Sequence, residues 1–335
     1  MNWDEFIWDN FYWDQSPAPT SKPKYNRRIM ASNPTPENPD ILRALADRMA
    51  DGCHLHETPL GLLRYTEAVM RAGISTLALA ETALGLKKLA LSTAYTTLQD
   101  ADVAGTVVLT NCKLALAKKL GQRWSAAWEP TGFPGQSTAV PNTQDLRFTL
   151  LDSLKNYFTA LPANENPGME ATAALCGAAW TVISDARHGV ATAESDLTAA
   201  GNTRADAVDG LRKRVRGLIT ELEDVLAADD PRWEAFGLNI PANPSTPEPV
   251  GSLTAAALGG GRIELAWPYA VRAVRYKVES FIVGVDTEWQ NKANAKDLGI
   301  IVKGYTAGQV VKLRVISSND GGDANPSPEA QVTVT

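Results

Sequence analysis

The chain is poor in the residues from which most catalytic and metal sites are built. Of 335 residues, three are cysteine and three are histidine. Cys53, Cys112 and Cys176 lie far apart and form no CxxC pair. That argues against a disulfide framework, and Cys112 and Cys176, in apolar helical contexts, read as small buried hydrophobes. Cys53, His54 and His56 would begin a soft metal site, but no second cluster supplies the remaining ligands of a four-coordinate centre. His188 follows Arg187 on an Ala-rich stretch and reads as a solvated or hydrogen-bonded side chain. There is no G-x-S-x-G, no phosphate loop ending in GK[ST] and no H-E-x-x-H. These absences predict a non-enzymatic protein with no catalytic residue, no cofactor and no metal.

An excess of positive charge is missing too. Lys and Arg number 32 against 38 Asp and Glu, a net charge of −6. That balance argues against nucleic acid as a partner. The basic run Arg212, Lys213, Arg214 and Arg216 precedes Glu221, Glu223 and Asp224 on one helix and reads as a paired, solvated face. No run approaches the ~18 apolar residues of a membrane span, so no span is predicted. The start lacks a basic region followed by an apolar stretch, so no ordinary secretory signal is read. The expectation is the cytoplasm by default, with surface or extracellular assembly by a non-classical route as the alternative.

What is present falls into blocks. Residues 1–40 form an aromatic arm and a Pro-rich linker. In the arm Trp3, Trp8 and Trp13 are spaced by five, and each is followed by aspartate. Trp3, Phe6, Ile7, Trp8, Phe11, Tyr12 and Trp13 are too many large apolar groups for a solvated tail. Fully buried, they would contribute on the order of 30 kcal/mol at ~25 cal/mol per Å². Ordering the segment costs a comparable amount. It therefore wants near-complete burial, and a groove between subunits supplies partners on several sides. These seven residues are the candidate subunit interface, with a strap over the chain's own bundle as the alternative.

Residues 41–134 and 135–241 read as two helical halves. Leu63, Met70, Leu77, Leu84, Leu91 and Leu98 recur every seven residues, and so do Met169, Cys176, Ile183, Val190 and Leu197. Mostly small residues stand three places after each, the pattern of long, close, coiled-coil-like helices. The openings Asp40-Ile41 and Asp145-Leu146 and the closures Arg123-Trp124 and Arg232-Trp233 suggest an internal duplication. Each half is expected to hold a short helix, a long helix and a return helix. The return helices would be Val103, Val107, Leu114 and Leu120 after a turn near Asp100–Gly105, and Leu211, Val215, Leu218, Leu222 and Val225 after a turn at Gly201-Asn202. Two such hairpins would make a four-helix antiparallel bundle.

From residue 248 to 335 the period becomes strand-like. Ile263, Leu265 and Trp267 alternate, as do Tyr276 and Val278, and Val311, Leu313 and Val315. Gly259–Gly261 reads as a hairpin turn, and Asn319-Asp320-Gly321-Gly322-Asp323 as a tight turn more than a calcium loop. With Pro247, Pro249 and the stretch Tyr305–Val315, these residues resemble a fibronectin type III domain. Val311 stands where that family usually has a tyrosine. No Arg-Gly-Asp is present, so the integrin-binding mode does not carry over. From about residue 33 onward the chain resembles uncharacterised bacterial proteins that join an Ala-rich helical bundle to one such domain. That resemblance implies a non-catalytic role. The fold class expected is therefore a long antiparallel helical bundle followed by a fibronectin type III β-sandwich. The expected function is a structural protein that self-associates into a homo-oligomer or filament. The alternative is an adhesion module whose type III domain takes a protein or glycan ligand.

Overall fold

A computed structural model of the chain describes residues 32–335. Asn38 opens α1 (Pro39–Leu60) by accepting from the N–H groups of Asp40 and Ile41. Three further helices follow: α2 (Glu67–Leu120), α3 (Gln144–Ala160) and α4 (Ala173–Val225). α2 runs unbroken for 54 residues and α4 for 53, each about 80 Å at ~1.5 Å per residue. They pair antiparallel as a ribbon. Lys87 binds Asp196 at 2.8 Å, Tyr95 donates to Glu194 at 2.6 Å, and Arg204 reaches Glu81 at 3.4 Å.

The expected return helices are therefore not separate elements. Leu211, Val215, Leu218 and Leu222 are buried as their spacing requires, but on the far third of α4 itself. Gly201 lies mid-helix with nothing near its missing Cβ. Asp100 and Gly105 are also mid-helix, and Gly105 has a packing reason. A Cβ there would meet Ile183 Cδ1 at 2.9 Å, so glycine lets α2 and α4 approach closely. Val103, Val107 and Leu114, expected in a core, point outward with 59%, 53% and 49% exposure. Leu63 precedes α2 and is exposed, so the first stripe begins at Met70. α2 also holds a stretch apolar enough by length and composition to pass for a membrane span, though none was predicted, and 22% of that window is buried. Alanines among the leucines and valines raise its hydropathy, while interspersed Gly and Thr keep the apolar run from being continuous.

Replacing Gly201 by alanine is expected to stabilise the protein by about 0.5–1 kcal/mol, because a Cβ enters open space and the unfolded chain loses freedom. A thermal melt that fails to rise, or falls, would contradict a continuous helix at this position.

The duplication is visible in the packing. Thr66 and Thr172 cap α2 and α4, accepting from Val69 and Leu175. Glu57 and Glu165 each accept the first helical N–H, from Glu67 and Ala173, both at 2.7 Å. The closing motif is not Arg123-Trp124, because the residue matching Trp233 is Trp128. Trp128-Glu129-Pro130-Thr131-Gly132-Phe133 and Trp233-Glu234-Ala235-Phe236-Gly237-Leu238 both form a short 3-10 segment ended by a left-handed glycine. Trp128 donates to the carbonyl of Gly121 and Trp233 to that of Ala227. One core gathers α1, the start of α2, the end of α4 and Trp233. The other gathers α3, the end of α2, the start of α4 and Trp128. Each core thus draws on both halves of the sequence.

Eight strands complete the chain: β1 (Thr254–Gly259), β2 (Arg262–Ala266), β3 (Arg275–Ile282), β4 (Gln290–Ala295), β5 (Gly299–Lys303), β6 (Val310–Asn319), β7 (Gly322–Asp323) and β8 (Ala330–Thr333). One sheet has the order β1-β2-β5, and the other β4-β3-β6-β7 with β8 also on β6. Pro326 and Pro328 fall between β7 and β8, where a strand partnering β6 would otherwise run on. Every alternating residue named from the sequence is in the core between the sheets, Trp267 and Tyr276 included. Gly259–Gly261 turn in positive φ, and a Cβ on Gly261 would strike the Tyr305 carbonyl.

Candidate functional site

The seven aromatic and aliphatic arm residues, Trp3 to Trp13, lie outside the described residues. What is described is the place where the chain arriving from them is tied down. Asn33 donates to the carbonyl of Asn239 at 3.0 Å and accepts from its N–H at 2.8 Å, a side chain imitating a strand partner. Arg212 then holds the carbonyl of Glu37 at 3.1 Å. Asn38, besides capping α1, donates to Asp297 on the β4–β5 turn at 3.0 Å, so one amide serves the bundle and the sandwich together.

Asn319, at the end of β6, is the centre of this junction. Its amide is 1% exposed. Its two N–H donors are shared among the Asn239 side chain at 2.8 Å and the carbonyls of Ser245 and Arg272 at 2.9 and 3.1 Å, while its oxygen accepts from Gly321. A buried amide with every polar atom satisfied fixes geometry, because any other arrangement strands a desolvated donor. Gly321 allows the approach, since a Cβ there would meet the backbone of Pro244 and Ser245 at 2.6 Å. The sandwich is thus fastened to the end of the bundle through its linker.

Beside this hub lies a cavity of about 390 Å³. Ile41, Leu45 and Tyr276 give it apolar walls, and Tyr269, Arg272 and Asp297 its polar ones. Arg272 sits in left-handed backbone at φ +66°. Its Nη2 donates to Thr246, and its Nε is buried without a described partner. Burial, more than the neighbouring Tyr276, pushes the Tyr269 phenol well above its usual range, so it stays protonated as a donor. The cavity offers an apolar recess with a fixed cation at its wall.

The other sequence candidates do not converge. The Cys53 thiol donates to the Tyr65 carbonyl, and burial pushes it up to about 12. His54 instead bonds Glu67 at 2.8 Å, and His56 packs against Phe236. Among the described residues, no three His, Cys, Asp or Glu side chains gather as a metal site. The Cys112 and Cys176 thiols are buried 3.5 Å apart, and that contact, ahead of burial, raises Cys112 far above its usual range. Glu221 was expected to pair with the basic run. It accepts instead from the N–H groups of Leu63, Arg64 and Tyr65, closing the α1–α2 loop. Sequence reasoning missed Asn33, Asn239 and Asn319. Asparagines in Pro- and Gly-rich loops read as turn formers, and only the tertiary fold makes them one cluster.

The strand order, three strands against a sheet centred on β3 and β6, and the buried Trp267 and Tyr276 settle the C-terminal architecture. The sandwich has the fibronectin type III fold. No protein-family model matches the chain, and no curated protein matches it. Among solved structures it is similar to titin kinase with its flanking domains, at 18% identity over 27% of this chain and 18% of that one, TM-score 0.25. It is also similar to the FN5 domain of Drosophila Lar, at 18% identity over 26% of this chain and 96% of that one, TM-score 0.24. A third is FN3tt, at 17% identity over 27% of this chain and 96% of that one, TM-score 0.24. The chain spans less than a fifth of the titin structure.

Proposed function

We propose that this protein is a non-enzymatic structural subunit that self-associates, with the arm residues Trp3, Phe6, Ile7, Trp8, Phe11, Tyr12 and Trp13 clasping a neighbouring subunit. The observation that carries this reading is the Asn33–Asn239 clamp, which gives the arm a fixed point of departure at the bundle–sandwich junction. From Trp13 to Asn33 the chain is long enough to span roughly 60 Å when extended. An arm that needs burial on several sides and has that reach fits a groove between subunits. Head-to-tail clasping is heterologous and builds rings or open filaments. The two-helix body would then act as a rigid spacer, with the type III domain projecting from one end.

A second reading has the type III domain as a binding module, for a protein or a glycan, with the arm strapped onto its own bundle. It is favoured by the junction cavity, whose Arg272 and Tyr269 face an apolar recess of about 390 Å³. Light-scattering mass of the full chain and of a chain lacking residues 1–16 separates the two. Large assemblies that collapse on deletion support the clasp. An unchanged mass sinks it and moves attention to the cavity.

A further inference from the structure

α1 and α3 lie on the same side of the α2–α4 ribbon. α1 is held there by Arg43 to Glu81 and by Arg71 to Asp47 and Asp51, and α3 by Arg147 to Asp102 and Arg187 to Asp145. Glu81 and Asp102 are three seven-residue repeats apart on α2, so they share one face. No described element covers the opposite face. Along it stand Leu79, Leu86, Thr93, Asp100, Val107 and Leu114, again seven apart, flanked by Leu89 and Val103. Leu79, Leu86 and Leu89 are 70%, 62% and 65% exposed. With Ala90 and Thr93 of α2, and with Val182 and Asp185 of α4, Leu86 and Leu89 line an open, mostly apolar groove. With only described residues counted, none between 81 and 100 is fully buried, so the middle of the ribbon has two helices and no third.

The stripe reads nearly the same in both directions, and that selects its occupant. We propose that this face docks a second copy of the chain, its α2 crossing antiparallel about a two-fold axis near Thr96 and Thr97. Leu79 then meets the partner's Leu114, Leu86 the partner's Val107, and Leu89 the partner's Val103. Thr93, whose hydroxyl donates to the Leu89 carbonyl of its own helix, comes opposite the partner's Asp100, so the only polar pair of the stripe is flanked by apolar pairs. The contact is isologous, as a two-fold interface must be. The six apolar side chains expose roughly 600 Å² in each copy, so two copies would bury roughly 1,200 Å² from these alone, which reaches the size of a specific interface. Seven-residue spacing over about 50 Å of helix suits another long helix. A lipid surface suits it less, because Asp100 stands in the middle of the stripe. This contact does not use the arm, and the arm can fail as a clasp without affecting it.

The test uses the full chain carrying Thr96→Cys. The native cysteines are buried, so the new thiol is the reactive one. Mild oxidation at micromolar protein should give disulfide-linked dimers on a non-reducing gel. Ser75→Cys, equally exposed but distant from the axis, should link at least tenfold more slowly. Adding Leu86→Glu and Val107→Glu to the Thr96→Cys chain should cut linking at least tenfold with helical circular dichroism unchanged, since both positions are on the surface. Equal linking by Thr96→Cys and Ser75→Cys overturns the interface, as does linking that survives both charges. Absence of linking together with flotation of the wild-type chain on vesicles of mixed neutral and anionic phospholipid overturns it in favour of a membrane surface.

Discussion

Trp128→Ala and Trp233→Ala should each lower stability by about 3–5 kcal/mol, the range for emptying a large aromatic site in a packed core. Both indoles are essentially inaccessible, and each N–H is satisfied by a carbonyl at the end of a long helix. Truncation therefore opens a cavity and strands a helix-terminal acceptor together. The two losses should be local to opposite ends. Hydrogen exchange should show Trp128→Ala releasing α3 and the end of α2, while α1 keeps its protection. Trp233→Ala should show the reverse. If either substitution loosens both ends equally, the description of two separate cores joined by a thin ribbon is wrong. Trp124→Ala is the comparison. It is half-buried with its Nε1 unpartnered, and it should cost clearly less than Trp128→Ala.

Asn319→Leu should have the second large effect. Leucine has the same branching as asparagine but removes every hydrogen bond that the Asn319 side chain makes. The two N–H donors that Asn239, Ser245 and Arg272 share are then lost, at about 1–3 kcal/mol each before relaxation. The expected outcome is a loss of roughly 2–4 kcal/mol and freedom of the type III domain to swing from the bundle. Small-angle scattering would register that as a larger and broader distribution of dimensions. Asn319→Asp keeps the shape but turns a carboxylate oxygen toward these three acceptors in a buried site, and it should cost at least as much. If Asn319→Leu leaves both stability and scattering unchanged, the junction is not the clamp described above.

The sandwich was the most legible part of the chain. Its strands have one buried face, so alternation alone selects Ile263, Leu265, Trp267, Tyr276, Val278, Val311, Leu313 and Val315, and all eight are in the core. The helical seams at Met70, Leu77, Cys176 and Ile183 were legible for the same reason, since period selects a face. The Trp-Glu-x-x-Gly motif that closes each half was also in the sequence. The neighbouring Trp124 and Trp128 compete for the match, and burial is what chooses Trp128.

The length of the helices was not legible. Gly201-Asn202 and Asp100–Gly105 carry residues that usually end helices, yet α4 and α2 pass through both. Local propensity offers the chain a turn worth about 1 kcal/mol per glycine. Packing against the opposite helix outweighs it, and at Gly105 the glycine is required by that packing. The polar clamp of Asn33, Asn38, Asn239 and Asn319 was equally out of reach, because its members come from the segment before α1, the linker after α4 and the end of β6, which only the finished fold brings together.

The sequence by itself determined what repeats and what faces inward: seven-residue seams, two-residue alternation, the duplicated plan and the boundary between helix and strand. Those features depend on period, and period is written in the order of residues. Tertiary structure decided where helices continue, which tryptophan seals each core, and which face of α2 is left without a described neighbour. Those outcomes depend on contacts between residues far apart in the chain, whose free energies exceed local preference only once both partners are in place.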